Sequence, residues 1–62
     1  MTNKIKIFRT VKGLTQEELG QLVGVSRQTI NAIENNKYFP SLELGLKLSL
    51  VLDCPVNDLF SL

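Results

Sequence analysis

The 62-residue sequence carries seven Lys or Arg against six Asp or Glu, with one cysteine and no histidine. A chain of this length buries only about 60% of the surface it exposes when unfolded, so it can build one small core of marginal stability. The lone Cys54 excludes an internal disulfide, and a zinc site without histidine would need an unusual ligand set. Regular helix packing and self-association are left as the sources of stability.

In chain order, Met1 to Arg9 is charged and unlike a signal peptide, and the longest apolar run, Leu50 to Leu52, is far short of a membrane span. A soluble, cytoplasmic protein with no membrane contact is expected. A first helix is predicted from Lys4 to Lys12, with Asn3 as N-cap and Gly13 as a left-handed stop. Its inner face holds Ile5, Phe8 and either Val11 or the Lys12 stem. Thr15-Gln16-Glu17-Glu18 reads as a capping box. It opens a second helix from Gln16 to Val23, with Leu19 and Leu22 inward and Gly24 ending it. Ser26 caps a third helix from Arg27 to Asn35, with Ile30 and Ile33 inward and Asn35-Asn36 as its stop. Lys37 to Pro40 is a loop, and Ser41 caps the fourth helix.

From Leu42 to Leu52 leucine alternates with other residues, which is the period of a strand. Helix is nevertheless expected, because Leu is the better helix former and Glu43 and Lys47 make a correctly oriented i,i+4 pair. Gly45 and Ser49 fall on one stripe with Leu42, Leu48 and Leu52, the expected packing face. Pro55 opens a short fifth helix at its first position, with Val56, Leu59 and Phe60 apolar. The result is an all-α, five-helix domain spanning residues 1–62, without repeat or linker.

Two short helices joined by Gly24-Val25-Ser26, with Gly20 at the point of closest approach, make a helix-turn-helix arrangement. An ordinary helical hairpin would have the same spacing. The side chains opening the third helix favour the former. Arg27, Gln28, Thr29 and Asn31 are polar and lie opposite Ile30 and Ile33. Arg is the commonest reader of guanine, and Gln and Asn pair bidentately with adenine. A solvated helix face is more often rich in Glu and Lys. Residues 1–41 hold six Lys or Arg against three acids, and residues 42–62 hold one against three, so the N-terminal part is the side expected at a phosphate backbone.

The run Gly13-Leu14-Thr15-Gln16-Glu17-Glu18-Leu19, then Gly24-Val25-Ser26-Arg27-Gln28-Thr29-Ile30, Ile33-Glu34 and Pro40-Ser41-Leu42, closely resembles the lambda-repressor-like (Xre, Cro-type) transcriptional regulators. The resemblance covers nearly the whole chain. It implies a compact five-helix domain that binds double-stranded operator DNA, usually as a dimer, with the third helix in the major groove. By that resemblance Arg27, Gln28 and Asn31 read bases, Thr29 less directly. Gln16 grips a phosphate and braces the recognition helix, and Asn35, Asn36 and Lys37 form a second phosphate clamp. The Tyr38 hydroxyl is a further phosphate donor, or its ring packs over the loop. Arg9 and Glu34 form a structural ion pair orienting the reading helix. Gly20 and Gly45 stand where the family generally has Ala, an expected loss of about 0.5–1 kcal/mol each.

An enzyme is not expected, since no base or cation accompanies Cys54 and no phosphate-binding glycine loop is present. No cofactor or metal is expected either. Cys54 reads as a small buried or interfacial residue, with a redox switch the remoter alternative. The expected activity is a sequence-specific regulator, a repressor; the alternative is an antitoxin or other protein-interaction partner on the same fold. The fourth helix holds more leucine than one core face can hide. A homodimer on a palindromic operator is therefore expected, with Leu44, Leu50, Val51, Cys54, Val56 and Leu62 at its interface.

Overall fold

A computed structural model describes all residues, Met1 to Leu62. Five helices follow one another: α1 (Ile5–Val11), α2 (Gln16–Val23), α3 (Arg27–Glu34), α4 (Leu42–Leu52) and α5 (Val56–Leu59). The two ends of the chain meet in an antiparallel ribbon of β1 (Thr2–Asn3) and β2 (Phe60–Ser61), registered Thr2 to Ser61 and Asn3 to Phe60. The Lys4 amide extends it by donating to the Leu59 carbonyl at 2.9 Å. A two-residue strand has no period to read, so the ribbon was not foreseeable from patterning.

Side chains and left-handed residues together define the helix boundaries. Thr15 and Glu18 form the reciprocal capping box at 3.0 and 2.8 Å, and the Ser26 and Ser41 hydroxyls accept from Thr29 and Leu44 amides. The third helix ends in a Schellman motif. Asn36, at φ +60°, lets its own amide reach the Ile33 carbonyl and the Lys37 amide reach that of Ala32. Asp53 ends α4 in the same way, at φ +55°. Pro55 lies one residue earlier than expected, as the N-cap of α5 rather than its first residue.

Every helix contributes to one core: Ile5 from α1, Leu19 and Val23 from α2, Ile30 and Ile33 from α3, Leu44, Leu48 and Leu52 from α4, Leu59 from α5, together with Cys54. Each fully buried Leu or Ile supplies roughly 1.5–3 kcal/mol. Three expectations about facing are corrected. Val11 is 79% exposed, because α1 ends there and the chain turns away. Leu22 is exposed, and Val23 takes the inward place beside Leu19. On α4 the inward stripe is Leu44, Leu48 and Leu52, while Leu42 is 76% exposed. Gly45 stays on the buried side, so the packing face is rotated rather than reversed.

Gly20 also needs correction as a mere weak point. A Cβ on it would lie 2.5 Å from the Val25 carbonyl oxygen, and the Gly20 carbonyl accepts from both the Gly24 and Val25 amides. Close contact between α2 and the turn leaves no room for a methyl group there unless the turn shifts. Gly45 is different, since a Cβ there would meet Phe60 at an ordinary 3.8 Å.

Candidate nucleic-acid interface

The turn Gly24-Val25-Ser26 swings α3 away from α2, with Gly24 at φ +83° supplying the left-handed step a Cβ would disfavour. Ile30 and Ile33 face the core, so the period of 3.6 puts Arg27, Gln28 and Asn31 on the outer side. All three are exposed, and they converge with half-buried Gln16 on a shallow depression lined by no apolar side chain. Its groups can donate and accept at once: a guanidinium with five N–H donors and three carboxamides. Thr29 is partly withdrawn from this face, because its hydroxyl is hydrogen-bonded to that of Ser26 at 3.1 Å within the cap.

A charged network beneath this surface fixes how α3 is held. Arg9 donates from Nε to Glu34 Oε2 at 2.7 Å and from Nη2 to Oε1 at 3.3 Å. Its Nη1 donates to the Leu14 carbonyl at 2.8 Å. Gln16 Nε2 then donates to Glu34 Oε1 at 3.0 Å. With the Glu34 side chain 4% exposed, its carboxylate is a buried hub joining α1, α2 and α3. A charge in that position is tolerated because both oxygens are matched by charged or polar donors.

The family profile described as helix-turn-helix matches residues 5–59. The chain belongs to the lambda-repressor-like helix-turn-helix family. As such it is a DNA-binding transcriptional regulator. It is 48% identical over 60 residues to the HTH-type transcriptional regulator MJ0272 of Methanocaldococcus jannaschii, covering 97% of this chain and 91% of that one. Over the same length it is 47% identical to the HTH-type transcriptional regulator YgzD of Bacillus subtilis, again covering 97% and 91%. Among solved structures, the restriction-modification controller protein C.AhdI of Aeromonas hydrophila superposes with a TM-score of 0.83 at 37% identity, covering 92% of this chain and 86% of that one.

On this helix-turn-helix frame the remaining expected residues lie at the far end of α3. Asn35 donates to both the main-chain and side-chain oxygens of Asn31, at 2.9 and 3.2 Å. Asn36 accepts from Asn3 Nδ2 at 3.0 Å, and Lys37 and Tyr38 are exposed. Two features of this surface were not anticipated. Glu17, Gln21 and Ser26 border Arg27 and Gln28 along the α2 side, where the outward positions of α2 were the only available signal. Asn3, expected as the N-cap of α1, lies in β1 instead, and the N-cap is Lys4. Asn3 Nδ2 donates to the Ile33 carbonyl at 2.8 Å as well as to Asn36, while its Oδ1 accepts from the Ile5 amide at 3.1 Å. It ties the terminal ribbon to the C-terminal end of α3.

Two of the residues expected at a dimer interface are not on the surface. Leu44 and Cys54 are buried in the core of a single chain, Leu44 on the inward stripe of α4 and Cys54 behind the Ser49 hydroxyl, which donates to its carbonyl at 2.6 Å. Burial pushes the Cys54 thiol above its ordinary range, and Asp58 adds to the shift. Leu50 and Leu62 are exposed, and Val51 and Val56 are half-buried. No helix is long and apolar enough to cross a membrane.

Proposed function

We propose that this regulator is a cytoplasmic repressor that binds a palindromic operator as a homodimer, each copy inserting α3 into the major groove. The observation carrying this reading is the convergence of Arg27, Gln28, Asn31 and Gln16 on one exposed, wholly polar face at the start of a rigidly held helix. Arg27 suits the O6 and N7 acceptors of guanine, and Gln28 and Asn31 suit the N6 and N7 groups of adenine. Thr29 serves the cap first and a base or phosphate second. Phosphate contacts come from Gln16, from Asn35, Asn36 and Lys37, and from the Tyr38 hydroxyl. The Arg9 and Glu34 pair holds the reading helix without touching DNA. Occupying a site is enough to exclude other proteins from it, so repression needs no further domain.

Dimensions support two copies on one site. The Cα framework measures 26 × 22 × 19 Å. With about 8–10 Å between packed backbones, the centres of two touching copies lie roughly 27–36 Å apart, which includes the ~34 Å of one DNA turn. Selection of bound duplexes from a random pool tests the reading. An inverted repeat with half-sites one helical turn apart is the expected product. Enrichment of a single unrepeated site would remove the dimer, and no enrichment at all would remove sequence-specific binding.

A further inference from the structure

The side chain of Asn36 is not needed by the turn it makes. The residue stands at φ +60°, where glycine is the less costly choice, and the Schellman bonds it completes are made by main-chain amides alone. Its carboxamide is nevertheless held, by a residue 33 positions earlier in the chain: Asn3 donates from Nδ2 to Asn36 Oδ1 at 3.0 Å. The polarity of this contact is fixed from behind. The Ile33 carbonyl can only accept and the Ile5 amide can only donate, so the Asn3 nitrogen faces the first, at 2.8 Å, and its oxygen the second, at 3.1 Å. Both N–H groups of Asn3 are thereby committed, one to Ile33 and one to Asn36. The oxygen of Asn36 must be the atom turned towards Asn3. Its nitrogen is left on the other side of the carboxamide, on an exposed residue, with both N–H groups free of any partner in the chain.

We infer that Asn3 is a positioning residue for DNA binding: it turns Asn36 so that the two free N–H donors face a phosphate of the DNA backbone. The inference rests on the reading above, in which the end of α3 lies against the backbone, and extends it to a residue of the terminal ribbon that touches no DNA itself. Main-chain donors are already spent at this end of the helix. The amides of Asn35, Asn36 and Lys37 close onto the carbonyls of Asn31, Ile33 and Ala32. A phosphate here must therefore be met by side chains, and its oxygens only accept. A carboxamide free to rotate offers them its oxygen as readily as its nitrogen. One whose oxygen is already engaged offers nitrogen, and binding is spared the loss of that rotational freedom.

The anchor is stiff enough for the task. The Ile33 carbonyl accepts from the Asn36 main-chain amide at 3.0 Å and from Asn3 Nδ2 at 2.8 Å, so the two asparagines meet on a shared acceptor as well as directly. Behind them the Asn3 backbone is registered against Phe60, and the Lys4 amide donates to the Leu59 carbonyl. The Asn36 carboxamide is thus held from α3 and from the ribbon together. Lys37, the next residue, is exposed and supplies the charge that draws a phosphate to the same place.

The test is binding of the intact chain to a random-sequence duplex of about two helical turns, over a range of salt, at a temperature where circular dichroism shows every variant folded. The variants are Asn36→Gly, Asn3→Ala, the two combined, and Lys37→Ala. Asn36→Gly keeps the left-handed turn and removes only the carboxamide, so it should melt close to the wild type and bind about threefold to tenfold more weakly. A carboxamide is neutral and releases no counterion. The salt slope should therefore stay at the wild-type value, whereas Lys37→Ala should lower it by about one. Asn3→Ala should weaken binding by about twofold or more, but should add nothing in the Asn36→Gly background. Its melt should fall in both backgrounds, because the bond to the Ile33 carbonyl is lost in each. A residue that merely held the fold would weaken binding in both backgrounds alike. Equal losses from Asn3→Ala in the two backgrounds, or no loss in the wild type, overturn the positioning role. Full affinity of Asn36→Gly beside a weakened Lys37→Ala overturns Asn36 as a phosphate donor and leaves α3 at the DNA. If Asn36→Gly, Lys37→Ala and Arg27→Ala all bind as the wild type does, the reading of this face fails and the inference with it.

Discussion

Gly20 and Gly45 separate helix propensity from packing, because both sit inside helices and both should gain about 0.5–1 kcal/mol from alanine on backbone grounds alone. The structure gives them opposite signs. At Gly20 a new Cβ would lie 2.5 Å from the Val25 carbonyl oxygen and 3.3 Å from the Ser26 carbonyl carbon, both main-chain atoms of the turn. Relief requires the turn to move, which strains the two hydrogen bonds accepted by the Gly20 carbonyl and shifts Ser26, the cap of α3. Overpacking of this kind costs typically about 1–3 kcal/mol and here exceeds the propensity gain. At Gly45 the nearest atom is Phe60 Cε2 at 3.8 Å, an ordinary contact, so the gain should be kept. Thermal and urea unfolding in dilute solution should therefore show Gly20→Ala destabilised by about 1–2 kcal/mol net and Gly45→Ala stabilised by about 0.5–1 kcal/mol. For a domain of this size each kcal/mol moves Tm by about 4–8 °C. A Gly20→Ala chain melting at or above the wild type would refute the claim that this glycine is required by the turn.

Three further outcomes follow from contacts already described. Arg9→Ala and Glu34→Ala should each destabilise by about 3–5 kcal/mol by stranding a buried partner. A double-mutant cycle should show the pair coupled by more than about 1 kcal/mol, and additive effects would remove the hub. Asn3→Ala should cost about 1–2 kcal/mol through its lost bonds to Ile33 and Asn36; an unchanged melt would mean that the ribbon does not hold α3. The Cys54 thiol, buried and pushed upward, should resist alkylation in the native protein at neutral pH and react fully on unfolding, whereas rapid native labelling would contradict its place in the core.

What the sequence made legible was local. Caps at Thr15, Ser26 and Ser41, left-handed stops at Gly13, Gly24 and Asn36, and the polar outer face of α3 are set by chemistry within a few residues. The rotation of α4 was not legible, for a physical reason. Alternating leucines place two equal i,i+4 stripes on nearly opposite faces of a helix, Leu42/Leu46/Leu50 and Leu44/Leu48/Leu52, and only long-range packing against α2 and α5 chooses between them. Leu22 and Val23 posed the same choice on a smaller scale, since both are helical neighbours of Leu19. The hub at Glu34 was half legible. Its pairing with Arg9 and the bracing of α3 by Gln16 both follow from family resemblance, but the choice of Glu34 as the partner of Gln16, at 3.0 Å, depends on an approach of α2 to α3 that no local signal encodes. Asn3 was read as a cap only, because its partners at Ile33 and Asn36 are thirty or more residues away.

Most direct is the comparison of Arg27→Ala with Lys37→Ala on a panel of single-base variants of the selected operator, over a range of salt. Arg27 belongs to the reading face, so its loss should cost about 1–3 kcal/mol on the preferred site and flatten the base preference at one position of each half-site. Lys37 lies exposed beyond α3, so its loss should weaken all sequences alike and reduce the salt slope by about one. If Arg27→Ala retained full affinity and an unchanged base profile, α3 would not be the element that reads DNA.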